Sequence, residues 1–214
     1  MVDKKKIILG ISCGDIGGIG LEILIKSCLN NTLFDFCIPI LYAPFMAVNF
    51  YQKLYSLDFN CHVIKNVSQA SSHQLNIITT NQIDKTIKPG VSCKVNGLVA
   101  INSLKFAVED LKNNIINVLV TLPINKYNVS LVQPNFVGHT EYLSTFFKAQ
   151  SLMLLCADNL RVATVTNHVP ISKVTSCITP QTIKEKLKIL IKVLRIDFLI
   201  KKPKIAVLSL NPHA

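Results

Sequence analysis

The sequence contains no tryptophan and is poor in acidic residues, with 12 Asp and Glu against 23 Lys and Arg. The formal net charge of +11 would suit a nucleic-acid partner, but the lysines are spread among apolar residues and form no block with interleaved aromatic side chains. We therefore interpret the charge as a solvated basic surface, which can steer a small anionic substrate towards the protein. A nucleic-acid-binding module stays open as a third alternative, which would show salt-sensitive binding to DNA or RNA.

Long hydrophobic runs are also missing. The apolar run after the charged amino terminus, Ile7 to Ser12, is too short for a signal peptide or a membrane-spanning helix. The seven cysteines form no CxxC pair, and most lie in apolar segments, as Cys28, Cys37 and Cys156 do. We expect reduced, packed thiols in a cytoplasmic protein, with no export and no membrane insertion.

What the sequence has in quantity is apolar side chains, which make up 50% of its 214 residues and can bury one large core or two small ones. Short apolar runs alternate with segments of helical periodicity, a pattern that predicts an α/β fold with a largely parallel sheet. The predicted strands are Lys6 to Cys13, Cys37 to Ala43, Cys61 to Ile64, Leu75 to Thr79, Val118 to Leu122, Ser151 to Ala157, Arg161 to Thr166 and Lys204 to Leu210. The predicted helices lie near Leu21, over Phe45 to Tyr55, over Leu98 to Ile115, after Thr140 and after Thr179.

A glycine-rich turn, GDIGGIG, leads from the first predicted strand into the first predicted helix. Such a turn can hold a phosphate on its backbone N–H groups, but the spacing from Gly14 to Gly20 is not that of a dinucleotide-binding G-x-G-x-x-G. A tight turn that lets two backbone segments pack closely is an equally good interpretation. Both interpretations leave Asp15, inside the turn, as its acidic residue.

Polar residues follow the central strand at once. The run Val118 to Leu122 ends at Pro123, and Asn125 and Lys126 come next. Ligands of open α/β sheets bind beyond the carboxyl ends of the strands, so these side chains are candidates for contacts with a ligand. Lys126 could contact an anion, although an exposed lysine after a strand is an equally good interpretation.

A short loop then leads to Gly138, His139, Thr140 and Glu141, where Thr140 is placed to cap a helix. A single histidine at such a junction is more often a cap or a satisfied polar contact than a catalytic group.

Two further histidines follow predicted strands and stand close to a proline. They are His168, in Asn-His-Val-Pro, and His213, in Asn-Pro-His-Ala. Neighbouring parallel strands would bring two such imidazoles together, which suggests a divalent-metal site. Two ligands do not complete one.

Four stretches of the chain occur in the same order in 4-hydroxythreonine-4-phosphate dehydrogenases, and the chain resembles that family of NAD-dependent enzymes of pyridoxal phosphate biosynthesis. The stretches are GDIGGIGLEI at Gly14 to Ile23, the central PINK and GHTEYL between Val120 and Ser144, LRVATVTNHVPISKV at Leu160 to Val174 and IAVLSLNPHA at Ile205 to Ala214. Four ordered motifs make the resemblance specific.

The resemblance implies a role for each histidine. In the family, His168 and His213 would be ligands of a divalent metal such as Zn, Mg or Co, and His139 and Thr140 would contact the substrate. The family's third metal histidine belongs to a later motif, and its site is completed across a homodimer interface. The residues that bind NAD are not identified by these motifs.

The resemblance also implies an architecture of α/β/α layers in two domains, with residues 1–120 as the amino-terminal domain and 121–214 as the first part of the second. The family's chains continue beyond NPHA, so we expect a carboxyl-terminally truncated chain.

The implied reaction is the NAD-dependent oxidation and decarboxylation of 4-phosphohydroxy-L-threonine to 3-amino-2-oxopropyl phosphate. Two alternatives stay open, a related dehydrogenase of a four-carbon sugar-acid phosphate and a non-catalytic remnant.

Overall fold

The computed structural model describes residues 6–57, 59–80 and 86–213. Contacts within the chain divide it into two compact units, Met1–Lys148 and Ala149–Ala214. The domain boundary after residue 120, which the family resemblance implies, stays a prediction. In this chain the strand that ends at Thr121 pairs inside the first unit.

The first unit is built on a parallel sheet of five strands with helices on both faces. Its strands are β1 (Ile7–Ser12), β2 (Cys37–Tyr42), β3 (Cys61–Ile64), β4 (Leu75–Ile78) and β5 (Val118–Thr121), in the spatial order β3-β4-β2-β1-β5. Its helices are α1 (Gly20–Leu29), α2 (Thr32–Phe36), α3 (Phe45–Leu54), α4 (Lys94–Lys112), α5 (Lys126–Ser130) and α6 (His139–Phe147). The predicted α/β/α layers and the largely parallel sheet are confirmed.

Alternation along β2 explains the layers. Leu41 points into one buried cluster with residues of α1 and α3, whereas Ile40 and Tyr42 point into a second cluster with Ala107 of α4. Successive side chains of a strand face opposite sides of a sheet, so an apolar run buried on both sides needs a helix layer on each.

The second unit begins with an antiparallel hairpin of β6 (Leu154–Ala157) and β7 (Leu160–Ala163). It continues with α7 (Ile171–Cys177) and α8 (Pro180–Ile196). The predicted start of α8 is confirmed, because the Thr179 hydroxyl accepts a hydrogen bond from the Thr182 N–H and Pro180 is the first helical residue.

Two sequence predictions are wrong in this unit. The predicted strand over Lys204 to Leu210 is not a strand, because no described strand pairs with it and an extended segment becomes a strand only through such a ladder. Cys156 is exposed on the hairpin, not packed. Cys13, Cys28 and Cys37 are buried as predicted, and all seven cysteines are free thiols.

Within the described ranges, no helix is both long and apolar enough to cross a membrane.

Candidate functional site

The chain reverses its direction of travel across the sheet beside β1. From β1 it moves to β2 on one side, whereas the later connection through α4 returns to place β5 on the other side of β1. In parallel α/β sheets the loops beyond such a pair of strands form the usual ligand crevice. Here those loops are the glycine-rich turn after β1 and the segment Leu122 to Asn125 after β5.

These two loops are in direct contact. The Asp15 N–H donates to the carbonyl oxygen of Pro123 at 2.9 Å. Gly14 has a φ of +62°, and a Cβ at this position would lie 2.2 Å from the same carbonyl oxygen. Glycine is therefore required here by both its backbone conformation and the close approach of the second loop.

The side chain of Asp15 ties the same loops together a second time. Its carboxyl group accepts from the Gly17 N–H at 2.9 Å and from the Asn128 side-chain amide at 3.1 Å. Asp15 is 8% exposed and Asn128 is 1% exposed, so both bonds are shielded from water. The Asn128 Oδ1 has no partner among the described residues.

Further groups of the glycine-rich turn are also hydrogen-bonded within the protein. The Gly18 N–H donates to the Asp15 carbonyl at 3.0 Å, and the Tyr51 hydroxyl donates to the Ile16 carbonyl at 2.8 Å. The N–H groups of Asp15, Gly17 and Gly18 are thus all engaged. This arrangement favours the tight-turn interpretation over a phosphate cradle, since those N–H groups cannot serve both purposes.

Asn125 and Lys126 stand at the carboxyl end of β5, as expected from the sequence. The Asn125 Oδ1 accepts from the Asn128 N–H at 3.2 Å and so caps α5. Lys126, the first residue of α5, is exposed, as a contact with a soluble anion would require. Asn125 was not recognised as a cap in the sequence, although an asparagine just before a short helix carries that signal.

Thr140 does not cap α6, so that prediction is wrong. The helix begins at His139, and its cap position is taken by Gly138, which offers no side-chain hydrogen bond. A side chain can cap only from the position before the first helical residue, and Thr140 lies two residues beyond it. His139 and Thr140 therefore both lie in the first turn, where their side chains stand beside free backbone N–H groups.

The imidazole of His139 is held against an aromatic ring. Its ring centroid lies 6.2 Å from that of Phe136, at an interplanar angle of 90°. The His139 Nε2 is buried and has no hydrogen-bond partner among the described residues. Burial lowers the pKa of His139, which favours the neutral imidazole. A buried polar atom without a partner is costly, and a ligand hydroxyl or phosphate oxygen that reached it would remove that cost.

His168 and His213 lie in the second unit, and neither directly follows a strand. β7 ends at Ala163, and the described residues between α8 and His213 include no strand. Both histidines are exposed and have positive φ angles of 52° and 57°. The expected convergence on parallel strand ends therefore does not apply, because β6 and β7 are antiparallel.

A metal site is not assembled within the described ranges, which contain no group of three or more His, Cys, Asp or Glu side chains that could hold an ion. His168 and His213 offer two imidazoles, and a catalytic zinc usually has three protein ligands. The residues present therefore do not fit a complete metal centre.

Comparison with known proteins gives one family. A model of the family described as pyridoxal phosphate biosynthetic protein PdxA matches residues 35–214. The chain is 34% identical over 215 residues to a 4-hydroxythreonine-4-phosphate dehydrogenase of Bacteroides thetaiotaomicron, covering 100% of this chain and 59% of that protein. It is 28% identical over 210 residues to a protein of Fusobacterium nucleatum named as a candidate D-threonate 4-phosphate dehydrogenase, covering 96% of this chain and 63% of that protein.

A solved structure agrees with these relatives. The crystal structure of a 4-hydroxythreonine-4-phosphate dehydrogenase from Burkholderia phymatum superposes with a TM-score of 0.86 at 25% identity, over 98% of this chain and 64% of that one. The chain thus spans about three fifths of the length of each of these three proteins.

Proposed function

Because the chain belongs to the family of the pyridoxal phosphate biosynthetic protein PdxA, we propose that the protein is an NAD-dependent dehydrogenase of 4-phosphohydroxy-L-threonine. In this reaction the carbon that carries the secondary hydroxyl would lose a hydride, which bound NAD would accept, and the hydroxyl proton would pass to a base. The resulting β-keto acid loses carbon dioxide, and the enolate takes up a proton to give 3-amino-2-oxopropyl phosphate. NAD is proposed from the family alone.

The observation that most directly supports a substrate site is the unpartnered, buried Nε2 of His139. A neutral imidazole can make one directed hydrogen bond there, to a substrate hydroxyl or phosphate oxygen, without adding charge to the site. The hydroxyl of Thr140 and the free N–H groups of the first turn of α6 can bind oxygen atoms of the same substrate. Exposed Lys126 is proposed as a weaker contact to its negative charge.

His168 and His213 are proposed as two ligands of a divalent metal, Zn, Mg or Co. Such a metal would supply Lewis-acid stabilisation of negative charge on oxygen. No step above depends on it, because the described residues do not complete its coordination.

D-threonate 4-phosphate is the second candidate substrate, and the similarity to the Fusobacterium nucleatum protein supports it. The two substrates differ in carrying an amino or a hydroxyl group beside the carboxylate. Turnover of both compounds with NAD and added metal, followed as NADH absorbance, tests the proposal and distinguishes the substrates. Absence of turnover with either compound would favour the non-catalytic alternative.

His139→Ala tests the substrate site within the same assay. We expect KM to rise about tenfold or more, because a hydrogen bond to a charged substrate is lost in a shielded position. His73→Ala is the matched control, since this exposed histidine precedes β4 and so lies at the amino end of that strand. An equal KM in both variants would remove His139 from the site.

We further propose that the protein is a cytoplasmic homodimer. The second unit exposes large apolar side chains, among them Leu199, Val207 and Leu208, at 79%, 62% and 89%. A contact with a second copy would remove such side chains from water. Sedimentation equilibrium gives the mass directly, and a monomer at micromolar concentration would contradict the dimer.

A further inference from the structure

The proposed function leaves the glycine-rich turn and its buried Asp15 without a role. Asp15 has no ion-pair partner within the described ranges, where its carboxyl group is held by two neutral donors, the Gly17 N–H and the Asn128 amide. Burial of an acidic side chain costs free energy unless hydrogen bonds compensate for the lost water. Hydrogen bonds to such a group are strong and depend on its geometry. The bond to Asn128 joins residues 113 positions apart, so it connects two loops that the chain itself does not hold together.

Asn128 lies in the middle of α5, which has only five residues and little stability of its own. Two neighbours fix this helix from outside. One is Asp15, and the other is α4, where Gly97 lets the two backbones come so close that a Cβ would lie 1.9 Å from the Asn128 carbonyl oxygen. Removing the Asp15 bond would leave α5 supported from one side.

The position of α5 is passed on to His139 by packing. Val129, next to Asn128, is fully buried in a small cluster with Ala100 and Ile101 of α4, and Phe136 packs against that cluster. The ring of Phe136 in turn contacts the imidazole of His139 edge to face. A movement of α5 therefore moves the surface against which His139 rests.

We propose that Asp15 is a positioning residue that acts through Asn128 and α5 to hold the His139 imidazole in its place against Phe136. It also fixes Lys126 at the start of α5. The inference rests on the proposed function only where substrate kinetics are the readout.

A reversal of the hydrogen bond tests this role. Asp15→Ala removes the carboxyl group and with it both bonds, and Asn128→Asp places two carboxyl groups together at the present 3.1 Å. The double variant Asp15→Asn, Asn128→Asp restores one donor and one acceptor. We expect KM to rise about tenfold in each single variant and to recover to within about threefold in the double variant, with kcat changing less.

A second readout does not need activity. The proton and carbon shifts of the His139 imidazole in the 214-residue chain, assigned by their loss in His139→Ala, should move in both single variants and return in the double variant. Asn128→Ala keeps the Gly17 bond and replaces Asp15→Ala if that variant does not fold. The same shift of the His139 signals is expected.

Tyr42→Phe is the matched control for destabilisation alone. It removes a partly buried hydrogen bond of 2.6 Å to Asp110, near the other end of α4. It should leave both the His139 signals and KM unchanged. The proposal is overturned if Asp15→Ala moves the His139 signals no more than Tyr42→Phe does, or if the double variant does not recover. Failure of His139→Ala to affect any substrate would instead refute the proposed function while the imidazole signals still decide the positioning role.

Discussion

Protonation of a histidine that is buried beside a phenylalanine lowers the stability of the fold, and His139 is such a histidine. Burial lowers the pKa of His139 because its charged form is poorly solvated. The unfolded chain therefore binds the proton more readily than the folded chain does. The stability that the neutral His139 imidazole contributes to the fold is lost as the pH falls below the ordinary histidine pKa of about 6.5.

We predict that His139→Gln reduces the acid sensitivity of the fold. Between about pH 7 and about pH 5 the free energy of unfolding should fall more steeply in the wild-type chain than in the variant. Urea unfolding at the two pH values measures both, and His73→Gln serves as the control because His73 is exposed. Equal slopes in wild type and His139→Gln would show that the imidazole is not shielded.

Thiol reactivity gives a second prediction at the same scale. Burial raises the pKa of Cys13 and that of Cys28 to about 12, whereas Cys156 is exposed. At about pH 8 Ellman's reagent should label Cys156 long before Cys13 or Cys28, because the thiolate is the reactive form. Mass spectrometry of the partly labelled chain identifies the sites, and all seven thiols should react in urea. Labelling of Cys13 at the rate of Cys156 would contradict the buried position.

Among the elements, the pair of α4 and α5 depends most on a single residue. Gly97 stands where the two helices meet, and its missing side chain allows the backbone of α5 to touch that of α4. Backbone atoms cannot rotate away as a side chain can. The contact is therefore intolerant of even one methyl group.

We predict that Gly97→Ala lowers the free energy of unfolding. The gain in helix propensity is about 1 kcal/mol, and overpacking against backbone costs about 1 to 3 kcal/mol, so the net loss should be up to about 2 kcal/mol. Lys105→Ala, on the exposed face of α4, should change stability by less than about 0.5 kcal/mol. Urea unfolding compares the two, and a stabilising Gly97→Ala would disprove the close contact.

The two units of the whole molecule differ in how much they bury. The first contains three buried clusters, whereas Leu194 is the one large apolar side chain buried among the described residues of the second. The second unit is also the one that carries His168 and His213. These two residues therefore lie on exposed segments whose positions are not fixed by a core.

We predict that the 214-residue chain binds zinc only weakly. Structural zinc sites with four ligands are worth about 10 to 16 kcal/mol, and two exposed imidazoles should bind much less tightly. Titration calorimetry of wild type and His168→Ala measures the effect, with His62→Ala as control. Unchanged binding in His168→Ala would refute its role as a ligand.

Much of the first unit could be predicted because its signals are local. Buried strands appear as short apolar runs, and the helices appear as apolar residues at helical spacing, so β1 to β5, α1, α3 and α4 were all expected. A helix beginning near His139 was also expected, whereas its cap residue was not. Thr140 is not the cap of α6, because Gly138, which has no side chain, occupies the cap position.

The sequence by itself determined the fold class, the family resemblance and the chemical identity of the candidate residues, since composition, spacing and motif are properties of neighbouring positions. Only the tertiary structure decided that Asp15 bonds to Asn128, that Phe136 shields His139 and that Lys204 to Leu210 forms no strand. Each of these depends on which distant residues come within about 3 to 6 Å. Such distances follow from the packing of whole helices and strands, which no local pattern contains.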